Sequence, residues 1–186
     1  MIIMDTMQLL AQCRAGDALA VEQLVRENQS RLYRLACSIL DDGSPHGCAD
    51  AEEATQDALL AALRRLDTYR GEAALSTWLY AITINICRNR LRARQRQARI
   101  RQIVQALTMP IDDLPDPPEN QVIQQEAEDG LWSAVNALDE KHRLPVILRY
   151  YHDCSVGEIA HMLDIPEGTV HSRLNKARHK LKAFVE

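Results

Sequence analysis

Aromatic side chains are scarce in this sequence: one Phe, two Trp and five Tyr among 186 residues. That scarcity argues against a broad aromatic-lined pocket or a row of base-stacking platforms. Paired cysteines are missing as well. Cys13, Cys37, Cys48, Cys87 and Cys154 are odd in number, scattered, and never in a C-x-x-C arrangement. This excludes a disulfide framework or zinc knuckle and fits free thiols in a reducing cytoplasm. No run approaches the roughly 18 uninterrupted apolar residues of a membrane-spanning helix. Met1–Asp5 has neither a basic flank nor a cleavage site, so no secretory leader is expected. Alternating β-branched runs are absent too, which points away from sheet and towards an all-α chain.

What is present is ordinary in amount and uneven in distribution. Apolar residues make up 46% and charged residues 26%, enough for a real core. The net charge of −4 by itself argues against a nucleic-acid binder. Residues 1–110, however, hold 14 basic and 12 acidic side chains, and residues 131–186 hold eight and seven. Residues 111–130 hold no basic side chain and seven acids: Asp112, Asp113, Asp116, Glu119, Glu126, Glu128 and Asp129. The acidity sits largely in one short segment.

That segment also carries Pro110, Pro115, Pro117 and Pro118. Proline removes a backbone donor and disfavours helix at the preceding residue, so an extended, flexible linker is expected there. Two small helical domains, 1–107 and 126–186, joined by a Pro-rich acidic linker over 108–125, follow. In the first, Gly16-Asp17 ends one helix and caps the next, which runs to Asp41-Asp42-Gly43. Asp50 with Glu53 resembles a capping box opening a helix through about Leu66. A turn at Arg70-Gly71 precedes a long helix from Ser76 towards Thr108, seated by Leu79, Ile82 and Ile86. Beyond the linker, helices are expected near 121–138, 140–151, 155–163 and 167–183. His46 and Cys48 share the loop before Asp50; two ligands fall short of a metal site, so the loop reads as solvent-facing.

The strongest local motif lies near the C-terminus. Ser155 and Glu158 form a capping box opening a helix whose Ile159, Met162 and Leu163 face inward, and small Ala160 permits a second helix to approach closely. Leu163-Asp164-Ile165-Pro166 makes the turn, since Pro166 cannot continue the first helix. A second helix starts near Thr169. On it Val170, Leu174, Ala177 and Leu181 fall within roughly 60° of arc, one narrow apolar stripe. His171, Ser172, Asn175, Lys176 and His179 lie opposite, flanked by Arg173 and Lys180, and no acid occurs from Gly168 to Val185. A lone basic helix would read as a solvated surface; the preceding turn makes it a helix-turn-helix suited to a DNA major groove.

A second basic element lies upstream. Arg88, Arg90, Arg92, Arg94, Arg96, Arg99 and Arg101 occupy fourteen residues without an acid. Arg88, Arg92, Arg96 and Arg99 share an edge with Asn85, suited to phosphate and base contacts; the others form a separate stripe. The plain alternative is a cationic helix paired with acidic neighbours. Trp78 reads as a core anchor rather than a stacking surface, while Tyr69 and Tyr80 stay open.

Together these residues resemble a bacterial RNA polymerase sigma factor of the extracytoplasmic-function (ECF) group. Asp50-Ala51-Glu52-Glu53-Ala54-Thr55-Gln56-Asp57, Tyr69-Arg70-Gly71 and Ser76-Thr77-Trp78-Leu79-Tyr80-x-Ile82-x-x-Asn85 carry the likeness in the first domain. Leu138-x-Glu140-Lys141-x-Arg143, Leu148-Arg149-Tyr150, Glu158-Ile159-Ala160 and the run from Ile165-Pro166 to Lys176-Ala177-Arg178 carry it in the second. The resemblance implies a sigma-2 and a sigma-4 domain. Asp50, Glu53, Gln56 and Asp57 would bind the β′ clamp helices of core RNA polymerase. Arg70, Ser76, Asn85, Arg88 and Arg92 would read the promoter −10 element. Thr169, His171, Ser172, Arg173 and Lys176 would read the −35 element, the second domain also leaning on the β flap. The acidic linker would thread towards the RNA exit path. An anti-sigma factor is the expected regulator. The sequence departs from the pattern in the insertion between Asp41 and Asp50, in Asp139 where proline is common, and in Leu59 and Leu63 where aromatics are usual.

A rival reading is a helix-turn-helix regulator binding duplex operators independently of polymerase, but it gives no role to the clamp-like helix, the arginine helix or the tether. An enzyme is not expected: no nucleophile–base pairing, P-loop or metal-ligand spacing occurs, and no cofactor, metal or small-molecule substrate is implied.

Overall fold

The computed structural model describes residues 6–40, 47–108 and 127–185. The expected linker core and His46 lie outside the described residues, as do residues 121–126 of the expected helix 121–138. Among the described residues there is helix and turn but no strand. The first unit begins with α1 (Thr6–Arg14) and α2 (Ala18–Leu40). They are separated at Gly16, whose φ of +83° is open to a residue without Cβ. Asp17 then caps α2, its carboxylate accepting from the backbone N–H of Leu19 at 2.9 Å and of Ala20 at 3.4 Å.

Next come α3 (Gly47–Arg64), a single tight turn at Leu66–Thr68, and α4 (Leu75–Thr108). α3 starts three residues before Asp50, so Asp50 lies in its first turn and is not a cap. Its carboxylate is taken instead by Arg94 of α4. Ala51, Ala54, Ala58 and Ala62 recur along one buried face of α3, and these small side chains let α2 and α4 approach closely. Leu32, Leu59, Ala62 and Leu79 join the three helices, and Leu9, Leu10, Cys13, Leu24, Leu66 and Tyr69 seat α1 beneath them. Each fully buried Leu or Ile contributes roughly 2 kcal/mol of transfer free energy. Trp78 packs in both clusters, tilted against Tyr69 at 5.5 Å, as a core anchor.

On α4 the innermost line is Leu79, Thr83, Ile84 and Cys87, whereas Ile82 and Ile86 are half-buried. The sequence reading missed Thr83 because a hydroxyl looks polar in a helical projection. Here it donates to the Leu79 carbonyl at 2.9 Å, so its burial leaves no orphan group.

The second unit comprises α5 (Ala127–Asn136), α6 (Glu140–Val146), α7 (Val156–Leu163) and α8 (Glu167–Val185). The single helix expected over 140–151 is divided. Pro145 lies inside α6, and the chain widens directly after it into a π-helical turn at Ile147–Tyr151. Val135, Leu138, Val146, Ile147 and Ala177 form the core of this unit, with Trp132, Leu174 and Leu181 against it. Asp139 starts α6, and its side chain holds His142 rather than a backbone donor.

The two units are packed on each other. Leu35, Ile39, Ile84 and Cys87 of the first share one continuous apolar cluster with Leu144, Leu148, Ile159 and Met162 of the second, and α7 lies across α4.

Candidate nucleic-acid interface

The helix-turn-helix is built as its residues dictate. The Ser155 hydroxyl accepts from the Glu158 N–H at 3.2 Å, and the Glu158 carboxylate accepts from the Ser155 N–H at 2.8 Å. These bonds to the ionised form hold the Glu158 carboxyl below the usual range, backbone donation from Ser155 leading. α7 ends at Asp164 in the left-handed conformation (φ 52°), with the Ile165 N–H closing on the Ala160 carbonyl at 3.0 Å. α8 starts at Glu167, two residues before Thr169, because Pro166 presets φ for the helix entry and its carbonyl accepts from Thr169 and Val170. Val170 and Ala177 are fully buried, with Leu174 and Leu181 half-buried beside them. His171, Ser172 and Lys176 are exposed, and Thr169 and Arg173 are half-exposed at the edges of that face. Among the described residues no carboxylate pairs with Arg173 or Lys176, whereas Lys180 is drawn to Asp139 at 3.6 Å. One helix face therefore offers hydroxyl, imidazole, guanidinium and ammonium donors with no competing acid along it.

The arginine helix divides into two classes. Arg90 spans Glu53 at 3.0 Å and Asp57 at 2.6 Å, and Arg94 pairs with Asp50 while also donating to the Leu40 carbonyl at 3.3 Å. Antiparallel α3 and α4 bring these charges together because Asp50, Glu53 and Asp57 share one face of α3, and Arg90 and Arg94 one face of α4. Three of the clamp-binding candidates are thus neutralised in part from behind, yet Glu53 and Asp57 stay exposed, as does Gln56 beside them. Arg92, Arg96 and Arg99 instead line an open groove of about 580 Å³ with Asn89 and Gln95. Asn85 is also exposed. Pairing with acidic neighbours therefore holds for Arg88, Arg90 and Arg94, whereas Arg92, Arg96 and Arg99 line the groove.

Arg70 is exposed in a loop from Tyr69 to Ala74, which closes on itself through the Tyr69 hydroxyl donating to the Ala73 carbonyl at 2.8 Å. Gly71 takes φ +77° at its apex. Sequence reasoning missed what fixes this loop. Arg14, at the end of α1, donates to the carbonyls of Leu66 at 2.8 Å and Tyr69 at 3.0 Å and lies 3.6 Å from Asp67. The only local hint was a lone basic residue closing a short helix. Ser76 is half-buried at a cavity of about 470 Å³ between the units. Arg88 meets Glu140 of α6 at 2.6 Å, a contact between distant parts of the chain that no local pattern signals.

Among the described residues no three metal-ligating side chains converge, and no helix is long and apolar enough to cross a membrane. Cys13, Cys87 and Cys154 are free thiols. Burial pushes Cys87 up to about 12 and Cys154 up to about 11, so neither is poised as a thiolate. Cys48 falls in the first turn of α3.

Fold and surface together define a two-domain helical DNA-binding protein, with a helix-turn-helix in one unit and an open arginine groove in the other. Residues 24–97 match Sigma-70 region 2, and residues 134–183 match Sigma-70 region 4. The ECF RNA polymerase sigma factor SigM of Mycobacterium tuberculosis is 33% identical over 174 residues, covering 94% of this chain and 81% of that protein. The ECF RNA polymerase sigma-E factor of Escherichia coli is 29% identical over 184 residues, covering 96% of this chain and 93% of that one. Among solved structures, CnrH in complex with the cytosolic domain of CnrY superposes with a TM-score of 0.63 at 24% identity, over 95% of this chain and 94% of that one. The sigma factor RpoE in complex with the anti-sigma factor NepR from Bartonella quintana superposes at 0.60 with 22% identity, over 88% and 95%. This chain belongs to the ECF RNA polymerase sigma factor family. It is a promoter-specificity subunit acting with core polymerase, not an independent operator-binding regulator.

Proposed function

We propose that the two units divide the work at residues 1–107 and 126–186, with 108–125 as tether. Asp50, Glu53, Gln56 and Asp57 dock on the β′ clamp helices, the exposed carboxylates of Glu53 and Asp57 offering charge-assisted hydrogen bonds to basic groups there. Arg70, Ser76, Asn85, Arg88 and Arg92 engage the −10 element, with the open groove extending that set to Arg96 and Arg99. Thr169, His171, Ser172, Arg173 and Lys176 read the −35 major groove, and the second unit leans on the β flap. The protein works in the cytoplasm, performs no chemistry of its own, needs no cofactor, and is held in check by an anti-sigma factor.

The observation that carries this reading is the occurrence on one chain of an acid-free donor face on α8 and an open groove of Arg92, Arg96 and Arg99 on α4. Backbone contacts fix position along the duplex, and the helix-turn-helix face supplies base-edge contacts. Run-off transcription with core polymerase on a library of upstream sequences tests it. Transcripts selected by a −10/−35 pair are expected; output independent of the upstream sequence, or no assembly with core, refutes it.

A further inference from the structure

The loop carrying Arg70 is held by a residue that lies ahead of the segment matching Sigma-70 region 2. Arg14 closes α1, and that segment begins only at residue 24. Its backbone is fixed first. Gly16 at φ +83° turns the chain out of the helix, and the N–H groups of Gly16 and Asp17 return to the carbonyls of Cys13 and Gln12, each at 3.1 Å. Leu9, Leu10 and Cys13 bury α1 against Leu66 and Tyr69, so the side chain leaving at position 14 reaches the tight turn Leu66–Thr68. There Nη2 donates to the Leu66 carbonyl at 2.8 Å and to the Tyr69 carbonyl at 3.0 Å, while Nε lies 3.6 Å from Asp67. Carbonyls at the end of a helical turn lack partners in a following turn, and a guanidinium supplies them with charge-assisted donors.

The contact with Tyr69 reaches furthest. A peptide unit is planar, so holding the Tyr69 carbonyl also fixes the Arg70 amide and the direction in which Arg70 departs. The tip of the loop has no burial to shape it, since Arg70, Gly71 and Glu72 are all exposed. Its form is set by Arg14 at one end, by the φ of Gly71, and by the Tyr69 hydroxyl donating to Ala73. Residues 68–73 line a cavity of about 380 Å³ together with Trp78 and His161, so the loop's form is also the form of that cavity.

We propose that Arg14 is a positioning residue for promoter recognition: through the Tyr69 carbonyl it holds the Arg70 loop in the shape that discriminates the −10 element. The proposal rests on the assignment of Arg70 to that element. Arg14 acts through the loop and not by contact with DNA, because its guanidinium is already committed to two carbonyls and leans on Asp67. Pre-forming the loop removes the ordering cost that a free loop meets on binding. Arginine suits the position, since its planar fork sets Nη2 against the carbonyls with Nε towards a carboxylate, whereas lysine brings a single nitrogen.

The test uses the full chain with core polymerase. Arg14→Met keeps an aliphatic stem and removes every donor, Arg14→Lys returns the charge and one nitrogen, and Arg70→Ala is the reference. Run-off transcription is measured on the −10/−35 pair selected from the upstream library and on templates with single-base changes in either element. Arg14→Met is expected to lower −10 selectivity about tenfold, close to what one mismatched base pair is worth, and to leave −35 selectivity unchanged. Arg14→Lys should recover part of the loss, and amide exchange in Arg14→Met should quicken at Arg70, Gly71 and Glu72 but not along α3. Unchanged −10 selectivity in Arg14→Met, where Arg70→Ala lowers it, overturns the positioning role. An equal loss of selectivity at both elements marks a general loss of structure and overturns it too. Should Arg14→Met fail to fold by circular dichroism, Arg14→Lys decides: a partial loss confined to the −10 element supports the proposal, and wild-type selectivity overturns it. If Arg70→Ala itself leaves −10 selectivity intact, the assignment of the loop to that element is refuted, and the proposal with it.

Discussion

The division of the arginine helix makes a quantitative prediction. Arg92 and Arg96 face an open groove, while Arg90 is spent on Glu53 and Asp57. A side chain that neutralises a DNA phosphate releases condensed counterions, so log K falls against log salt with a slope of about −0.9 per duplex contact and about −0.7 per single-strand contact. Arg92→Ala and Arg96→Ala should therefore each flatten the slope of holoenzyme–promoter binding by about 0.7 to 0.9. Over a fourfold rise in salt, each variant should lose about threefold less affinity than the wild-type protein. Arg90→Ala should leave the slope unchanged. It instead removes an exposed ion-pair network between α3 and α4, about 1 kcal/mol or less after screening, visible as a lower urea midpoint. Filter-binding isotherms at four salt concentrations measure the slopes. An Arg90→Ala slope change equal to that of Arg92→Ala would refute the separation of the two faces.

Reversing the charge of Glu53 and Asp57 together should impair assembly with core polymerase in a pull-down, and normal assembly would show that the clamp contact lies elsewhere on α3. Ser155→Ala removes the cap of α7 and should cost about 1 kcal/mol, read as faster amide exchange across Val156–Leu163. Burial, with help from Arg34 and against the pull of Asp153, holds His152 below the usual imidazole value. The groups facing it are Arg31, Arg34, Tyr80, Tyr151, Asp153 and Glu158. The unfolded chain binds the extra proton first, so stability should fall as pH drops from about 6.5 towards the lowered value, and a midpoint that rises on that acidification contradicts the assignment. Cys87, fully buried with its thiol pushed up to about 12, should resist iodoacetamide until the chain unfolds; rapid labelling of native protein would show that α4 opens locally.

Periodicity and punctuation told the sequence reader most of the local structure. The apolar stripe of α8, the Ser155–Glu158 box, the stop at Pro166 and the length of α4 all depend on residues within a few positions of one another, and such short-range physics is written in order along the chain. The start of α3 at Gly47 and the break after Pro145 were less legible, since several residues there tolerate either conformation. The donor face of α8 was equally readable, because one helix supplies it whole. Which arginines of α4 are open was not. That depends on α3 lying antiparallel beside α4 and presenting Asp50, Glu53 and Asp57 to Arg94 and Arg90, a long-range juxtaposition that no spacing encodes. The pairing of Arg88 with Glu140 and of Ser38 with His152 belongs to the same class. Sequence by itself determined the helices, their faces and the family. Tertiary structure alone decided which charges remain for DNA, because a guanidinium is available only where folding has brought no carboxylate to it.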